Sequence, residues 1–198
     1  MINTCLIPER ELAPGSVADI RKQVEAALVA KASSELKMSP DNLVVRDIRP
    51  FHDISWGTDA VTGLANAALT DDIWPLTTDG ALLGFLPLET VALSMMADQR
   101  FVAIYGIRDS RYSLAAPTAP QCSLWKFVVG NSVKSIWDMS KCYAYRKESV
   151  GFSNSAVIIP QNTQYMIYGY LPTAMGAVVQ YVSLEGMVCE PRGKVVSP

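Results

Sequence analysis

The residues of this chain that could carry out chemistry are few and widely separated. The sequence holds one histidine, His52, which stands next to Asp53 in an irregular stretch. A local acid–base pair needs further groups to position a substrate, and one histidine cannot build the multi-histidine metal sites of common hydrolases. An ordinary polar loop is therefore the simpler interpretation of this pair.

The candidate nucleophilic side chains do not indicate an active site either. Cys122 or Cys142 could form a thiol dyad with His52, but both cysteines lie in or beside apolar strands, where a thiol is usually inert. The segment Gly151–Ser155 lacks the closing glycine of a nucleophile elbow, and there is no dinucleotide or Walker loop. We therefore predict no catalytic residue, no metal site and no cofactor. The cysteines, none of them in a C-x-x-C pair, are expected to be reduced: Cys5, Cys122, Cys142 and Cys189.

Tyrosines are frequent in the C-terminal half, where they could stack on bases or sugars. At strand spacing, however, tyrosine side chains more often pack on a sheet with the hydroxyl at its wet edge. Packing is thus the expected role of this set, which comprises Tyr143, Tyr145, Tyr165, Tyr168 and Tyr170, beside Arg146 and Lys147.

The composition predicts one globular domain over residues 1–198. Because 49% of the residues are apolar and only 18% are charged, the chain can bury a sizeable core. A net charge of −2 gives no overall attraction to nucleic acid or to an acidic membrane. No apolar run approaches the length of a membrane span, and the N-terminal segment lacks the pattern of a signal peptide. We expect no specific nucleic-acid partner, no transmembrane segment and no secretion by a signal peptide.

Charge is divided unevenly between the two halves of the chain. Residues 1–100 hold 14 acidic and 8 basic residues, whereas residues 101–198 hold 5 acidic and 9 basic residues. The net charges of the halves are therefore −6 and +4. This split has two interpretations: chance together with an exposed acidic N-terminal region, or head-to-tail complementarity between identical subunits.

An N-terminal arm precedes the clearest helix. Residues 1–15 show little pattern, and we expect this arm to need a partner for its order. Residues 16–38 are predicted to form the longest helix, capped by Ser16 with Asp19 three residues later and ended by Ser39-Pro40. One apolar stripe must bury against another element, most simply a sheet, and it comprises Val17, Ile20, Val24, Leu28, Ala32 and Leu36.

Short elements of both kinds are expected in the middle of the chain. A second short helix beginning near Pro87 is predicted from the helical spacing of five apolar residues, namely Leu88, Val91, Ala92, Met95 and Met96. A weak helix is expected at 59–69, and strands are expected at 43–48, 73–77 and 81–86.

From Arg100 the apolar spacing becomes that of a β protein. The region 100–190 is predicted to be the β core, with strands at 101–107, 123–129, 133–137, 141–146, 156–159, 165–171 and 177–188. Short strands with turn signals between them indicate an antiparallel sandwich or barrel. The predicted fold class is thus α+β, with the N-terminal helix packed on a mainly antiparallel β-sandwich or jelly-roll.

The second half of the chain resembles the single jelly-roll capsid proteins of icosahedral viruses, including those of membrane-containing bacterial and archaeal viruses. The resemblance covers residues 100–190 and lies in the run of short strands, the segments IIPQNT and YGYLP, and the long closing strand. It implies a self-assembling shell protein without catalytic residues, located in the virion or in the cytoplasm before assembly. Its partners would be copies of itself and other capsid proteins.

Head-to-tail assembly would bring basic residues of the second half against acidic residues of the first half. The candidates for these contacts are Arg108, Arg111, Arg146 and Lys147 on the basic side, and Asp71, Asp72 and Asp79 on the acidic side. The alternative function is a jelly-roll ligand-binding module of cupin or lectin type. Cupins usually carry clustered histidines, and a sugar site needs carboxylates near exposed aromatics.

Overall fold

Two β-sheets and one long helix make up the described part of the chain. The computed structural model describes residues 3–48, 74–77, 90–109, 124–143, 150–170 and 179–194. The helices are α1 (Ser16–Leu36) and the short α2 (Ser140–Tyr143). The strands are β1 (Asn3–Cys5), β2 (Ile7–Pro8), β3 (Leu43–Asp47), β4 (Trp74–Thr77), β5 (Thr90–Met95), β6 (Phe101–Asp109), β7 (Leu124–Val129), β8 (Ser132–Asp138), β9 (Val150–Ile159), β10 (Gln164–Tyr170) and β11 (Val179–Pro191).

The strands form two sheets that are mainly antiparallel. One sheet has the order β1-β8-β7-β10-β5, and the other has the order β2-β9-β6-β11-β3, with β4 also paired to β11. Within the described residues, β1 and β8 form the one parallel pair. The predicted combination of a helix with mainly antiparallel sheets is confirmed at this level.

A first hydrophobic core contains residues of both sheets. Trp125, Phe127 and Tyr165 come from the five-stranded sheet, and each is almost fully buried. Phe127 packs on Trp137, with 4.4 Å between ring centroids. The six-stranded sheet contributes branched side chains to the same core, among them Val102, Ile104, Ile107, Val157, Ile159 and Val188. The alternation along β7 that places residues 125, 127 and 129 on one face is therefore as the sequence predicts.

A second core joins α1 to residues of the six-stranded sheet. Val24, Leu28 and Ala32 are buried at successive turns of the helix, as the apolar stripe predicts. They share a cluster with strand residues including Phe101, Ala103, Tyr105, Phe152, Met187 and Cys189. Arg21 of the helix also pairs with Asp47 at the end of β3. This sheet therefore takes part in two separate cores.

The ends of α1 differ from the prediction. Ser16 is the first helical residue and not the cap, which is Gly15 with a φ of 90° and no side-chain capping hydrogen bond. Glycine suits this position because a side chain would be strained at positive φ. The helix ends at Leu36, since Lys37 adopts a left-handed conformation and the amide of Met38 turns back to donate to the carbonyl of Ser33.

Two other predicted elements are wrong. The helix expected from Pro87 is the strand β5, which pairs with β10 through residues such as Leu93 opposite Met166. A short apolar run fits both periods, and pairing with a neighbouring strand decides between them. The strand expected at 141–146 begins as α2, where the Asp138 carboxylate accepts a hydrogen bond from the amide of Ser140 and starts a helical turn.

Two predictions fall outside the described residues, namely the helix at 59–69 and the strand at 81–86. Within the described ranges, no helix combines the length and apolar character needed to cross a bilayer.

Candidate functional site

The N-terminal arm crosses from one sheet to the other. Its strand β1 lies parallel to β8, with Cys5 opposite Asp138, and its strand β2 lies antiparallel to β9, with Ile7 opposite Phe152. Between the two strands, the amide of Leu6 donates to the carbonyl of Asp138 at 2.9 Å. The arm therefore adds a strand to each sheet of its own chain.

Leu6 fixes the arm in the first core. Its side chain is fully buried, and its carbonyl oxygen lies 3.9 Å from the sulfur of the buried Cys142. A Cβ atom at Gly151 would lie 2.8 Å from both the Leu6 Cβ and the Cys142 sulfur. This space is too small for any side chain, so the glycine at position 151 allows the arm to approach β9.

An ion pair also holds the part of the arm that follows β2. The ammonium of Lys141, in α2, donates to a Glu11 carboxylate oxygen at 2.5 Å. Lys141 is half-exposed, so this pair is worth up to about 1 kcal/mol and mainly fixes orientation. α2 thus contacts the arm at two places, Leu6 through Cys142 and Glu11 through Lys141.

The buried thiols are poor nucleophiles. Burial raises the pKa of Cys142 from 9.0 to about 12, and burial raises the pKa of Cys189 to about 11. Both thiols are therefore protonated at neutral pH, whereas a nucleophilic cysteine reacts as the thiolate. The other members of the considered dyads, His52, Asp53 and Cys122, lie outside the described residues.

A buried charge cluster joins three neighbouring strands near their ends. The carboxylate of Glu190, on β11, is only 4% exposed and accepts hydrogen bonds from two arginines at 3.1 Å. Arg46 comes from β3 on one side, and Arg100 directly precedes β6 on the other. Two guanidinium groups on one carboxylate compensate part of the cost of burying its charge.

Sequence reasoning missed this cluster because its members are far apart in the chain. Arg46 and Glu190 are separated by 144 positions, and Arg100 and Glu190 by 90 positions. The available signal was an acidic residue directly after the apolar run 187–189, since a carboxylate that is buried beside such a run requires a partner.

A second polar cluster joins the two turns that follow β5 and β9. Asp98 accepts a hydrogen bond from the Asn162 amide at 3.0 Å and pairs with Lys194 at 3.5 Å. The Asn162 hydrogen bond is the main cause that lowers the pKa of Asp98, and Lys194 lowers it further. The backbone amide of Gln99 also donates to the Gln161 side chain at 2.9 Å. Side chains thus connect the 97–100 turn to the 161–163 turn and to the C-terminal segment.

Of the predicted assembly contacts, the structure describes Arg108. This residue is half-exposed on β6, and its guanidinium donates to the carboxylate of Glu185 at 2.8 Å. The remaining candidates lie outside the described residues: Arg111, Arg146, Lys147, Asp71, Asp72 and Asp79. Arg108 therefore already has an acidic neighbour within its own chain.

The uneven charge of the two halves is partly neutralised inside the chain. Glu11 and Asp98 belong to the acidic half, and they pair with Lys141 and Lys194 of the basic half. The two halves lie side by side in this fold because β3 and β11, from opposite ends of the chain, are neighbours.

Two other candidate groups in the described ranges pack in the core or form hydrogen bonds within a strand. Tyr165 is buried in the first core, and the hydroxyl of Ser153 donates to the carbonyl of Ser155 within β9. Among the described residues, no three histidine, cysteine, aspartate or glutamate side chains lie close enough to hold a metal ion together.

No known protein family, curated protein or solved structure matches the chain.

Proposed function

We propose that this chain is a non-enzymatic structural subunit that assembles with copies of itself into a virion shell. In this proposal the subunit has a jelly-roll core on which α1 packs. The order of the strands in the two sheets is the observation that carries this proposal.

The strand pairing supports a jelly-roll. Eight strands, β3 and β5 to β11, pair from the outside inwards: β3 with β11, β5 with β10, β6 with β9, and β7 with β8. All four pairs are antiparallel, as in one long hairpin. The contacts of β6 with β11 and of β7 with β10 then join the pairs into two sheets. Rolling a hairpin in this way produces the eight-stranded, double-sheet architecture of capsid and lectin domains.

The filling of the first core favours a structural role over the cupin- or lectin-like alternative. Trp125, Trp137 and Tyr165 are fully or almost fully buried in this core. Large aromatic side chains occupy the space that a barrel would otherwise offer to a ligand. The filled interior of the described part is thus suited to stabilising the fold and not to binding a ligand.

The placement of the arm adds a second argument. Strands β8 and β9 would otherwise be edges of the two sheets, and unpaired edges attract other strands. Because β1 and β2 cover both of them, β8 and β9 are not open to pairing with another subunit, and we place the proposed contacts on other surfaces. The candidates at Arg111, Arg146 and Lys147 on one side and at Asp71, Asp72 and Asp79 on the other remain our proposal for these surfaces.

Analytical ultracentrifugation over a range of protein and salt concentrations tests the proposal, with electron microscopy of the same samples. We expect a defined large species that grows with protein concentration. A chain that stays monomeric throughout, and that no co-expressed partner brings into an assembly, would show that the shell function is wrong. A monomer that binds sugars would instead support the binding module.

Charge reversal tests the proposed contacts. Arg146→Glu together with Lys147→Glu should weaken assembly, and the loss should be larger at low salt because salt screens exposed charges. The matched control is Lys22→Glu together with Lys37→Glu, which makes the same change in net charge at exposed positions in and after α1. Equal loss in both variants would mean that net charge, and not these contacts, controls assembly.

A further inference from the structure

Two cysteine sulfurs approach the carbonyl oxygen of the same arm residue. Cys5 is exposed at the end of β1, and Cys142 is buried in α2. The sulfur of each lies 3.9 Å from the carbonyl oxygen of Leu6. The two sulfurs are therefore separated by at most 7.8 Å, which is the sum of those two distances.

We propose that Cys5 and Cys142 form an intrachain disulfide under oxidising conditions and thereby lock the N-terminal arm across the two sheets. This inference is independent of the proposed shell function, since it uses contacts within one chain. Rotation about the Cα–Cβ bonds and a small shift of the arm would bring the sulfurs to bonding distance.

The exposure of the two thiols sets the order of the reaction with a small-molecule disulfide such as oxidised glutathione. The accessible Cys5 loses its proton to solvent, and its sulfur attacks one sulfur of glutathione disulfide, which forms a mixed disulfide and releases one glutathione thiolate. Cys142 then loses its proton to solvent and attacks the Cys5 sulfur, releasing the second glutathione thiolate. In total, two protein thiols are oxidised and one glutathione disulfide is reduced.

The second step should be slow in the folded protein. Burial raises the pKa of Cys142 to about 12, so few thiolates exist at neutral pH. Reaction therefore needs mildly alkaline solution and brief local opening of the arm. Once formed, the crosslink joins Cys5 to Cys142 and so closes a loop that contains most of the chain. It thereby restricts detachment of β1 and β2.

The wild-type full chain provides the test, because trypsin would separate all four cysteines. The sequence predicts the peptides MINTCLIPER for Cys5 and CYAYR for Cys142, with Cys122 and Cys189 in two others. After oxidation of folded protein with oxidised glutathione and alkylation of the remaining thiols, we expect MINTCLIPER linked to CYAYR, at a mass lower by two hydrogens than the two peptides combined. Hydrogen exchange at Leu6 and Ile7 should then be slower than in reduced protein.

Matched variants identify the sulfurs that take part. Cys142→Ser should leave Cys5 as the glutathione adduct, whereas Cys189→Ser, at a buried thiol in the second core, should keep the linked peptides. The proposal is overturned if folded wild-type protein yields Cys5 as the glutathione adduct alone. It is also overturned if the link appears after denaturation and not before, or if Cys5 joins two chains in a disulfide-bonded dimer.

Discussion

Leu6 and Gly151 approach so closely that a β-carbon at position 151 would lie 2.8 Å from the Cβ of Leu6. Leu6 belongs to the arm, and Gly151 belongs to β9, near the other end of the chain. The contact therefore joins the N-terminal segment to a strand that is made much later. Because the contact is so close, a substitution at Gly151 tests how much the packing of the arm contributes to the free energy of unfolding.

Gly151→Ala should lower the free energy of unfolding by about 1–3 kcal/mol, because the added methyl group overpacks the space between Leu6 and Cys142. Urea unfolding followed by tryptophan fluorescence measures this loss. Gly193→Ala is the control, since a Cβ at position 193 would meet no atom within 4 Å. Equal stability of the two variants would contradict the close packing of the arm.

Glu190→Gln should be among the most damaging polar substitutions. It removes the negative charge between Arg46 and Arg100, whose side chains are 19% and 22% exposed. Breaking a buried ion pair on one side costs about 3–5 kcal/mol when the remaining charge is left uncompensated, and the partial exposure of these arginines favours the lower value. Thermal and urea unfolding measure the change.

Glu185→Gln is the matched control for that substitution. Glu185 and Arg108 form a more exposed pair on the neighbouring strands β11 and β6. Exposed pairs contribute up to about 1 kcal/mol, so this variant should stay close to the wild type. A similar loss in both glutamine variants would argue against a special contribution of the buried cluster.

Leu28→Ala tests the second core. Leu28 is fully buried in the cluster that joins α1 to strand residues, so we expect a loss of about 2–5 kcal/mol in the free energy of unfolding. Leu36→Ala, at a partly buried position of the same helix, should cost clearly less. If Leu28→Ala leaves stability unchanged, the helix does not form the second core.

The stability of the protein should fall in alkaline solution through its buried thiols. The pKa values of Cys142 and Cys189 are raised by burial from 9.0 to about 12 and about 11. The unfolded chain therefore releases these protons first as the pH rises. The stabilisation from the neutral thiols is complete below pH 9.0 and is lost towards pH 11–12, at about 1.4 kcal/mol per pH unit for each thiol.

Urea unfolding midpoints measured above pH 9 check this slope. Cys142→Ala should flatten the pH dependence even though it lowers the absolute stability. Leu36→Ala, which removes no titratable group, should retain the slope of the wild type. An unchanged slope in Cys142→Ala would contradict the assignment to this thiol.

The sequence predicts much of the fold where the apolar pattern is long. The stripe of α1 identifies Val24, Leu28 and Ala32 as buried, and the alternation in β7 identifies Trp125 and Phe127. The apolar spacing recurs over several turns of α1 and over several residues of β7. The pattern in the sequence therefore identifies which side chains are buried.

The remaining features depend on contacts between distant parts of the chain. β1 and β2 are too short to show any periodicity, and their pairing is decided by β8 and β9. The apolar run of β5 fits a helix as well as a strand until β10 lies beside it. The environment of Glu190 depends in the same way on Arg46 and Arg100.

The position of the arm also has a consequence for synthesis. A ribosome makes residues 3–8 well before the strands that bind them, since β8 and β9 are complete only after residue 159. At translation rates of about 5–20 residues per second, roughly 8–30 seconds separate these events. During that interval Leu6 lacks the strands that bury it in the folded chain, so a growing chain presents this apolar residue to chaperones and proteases.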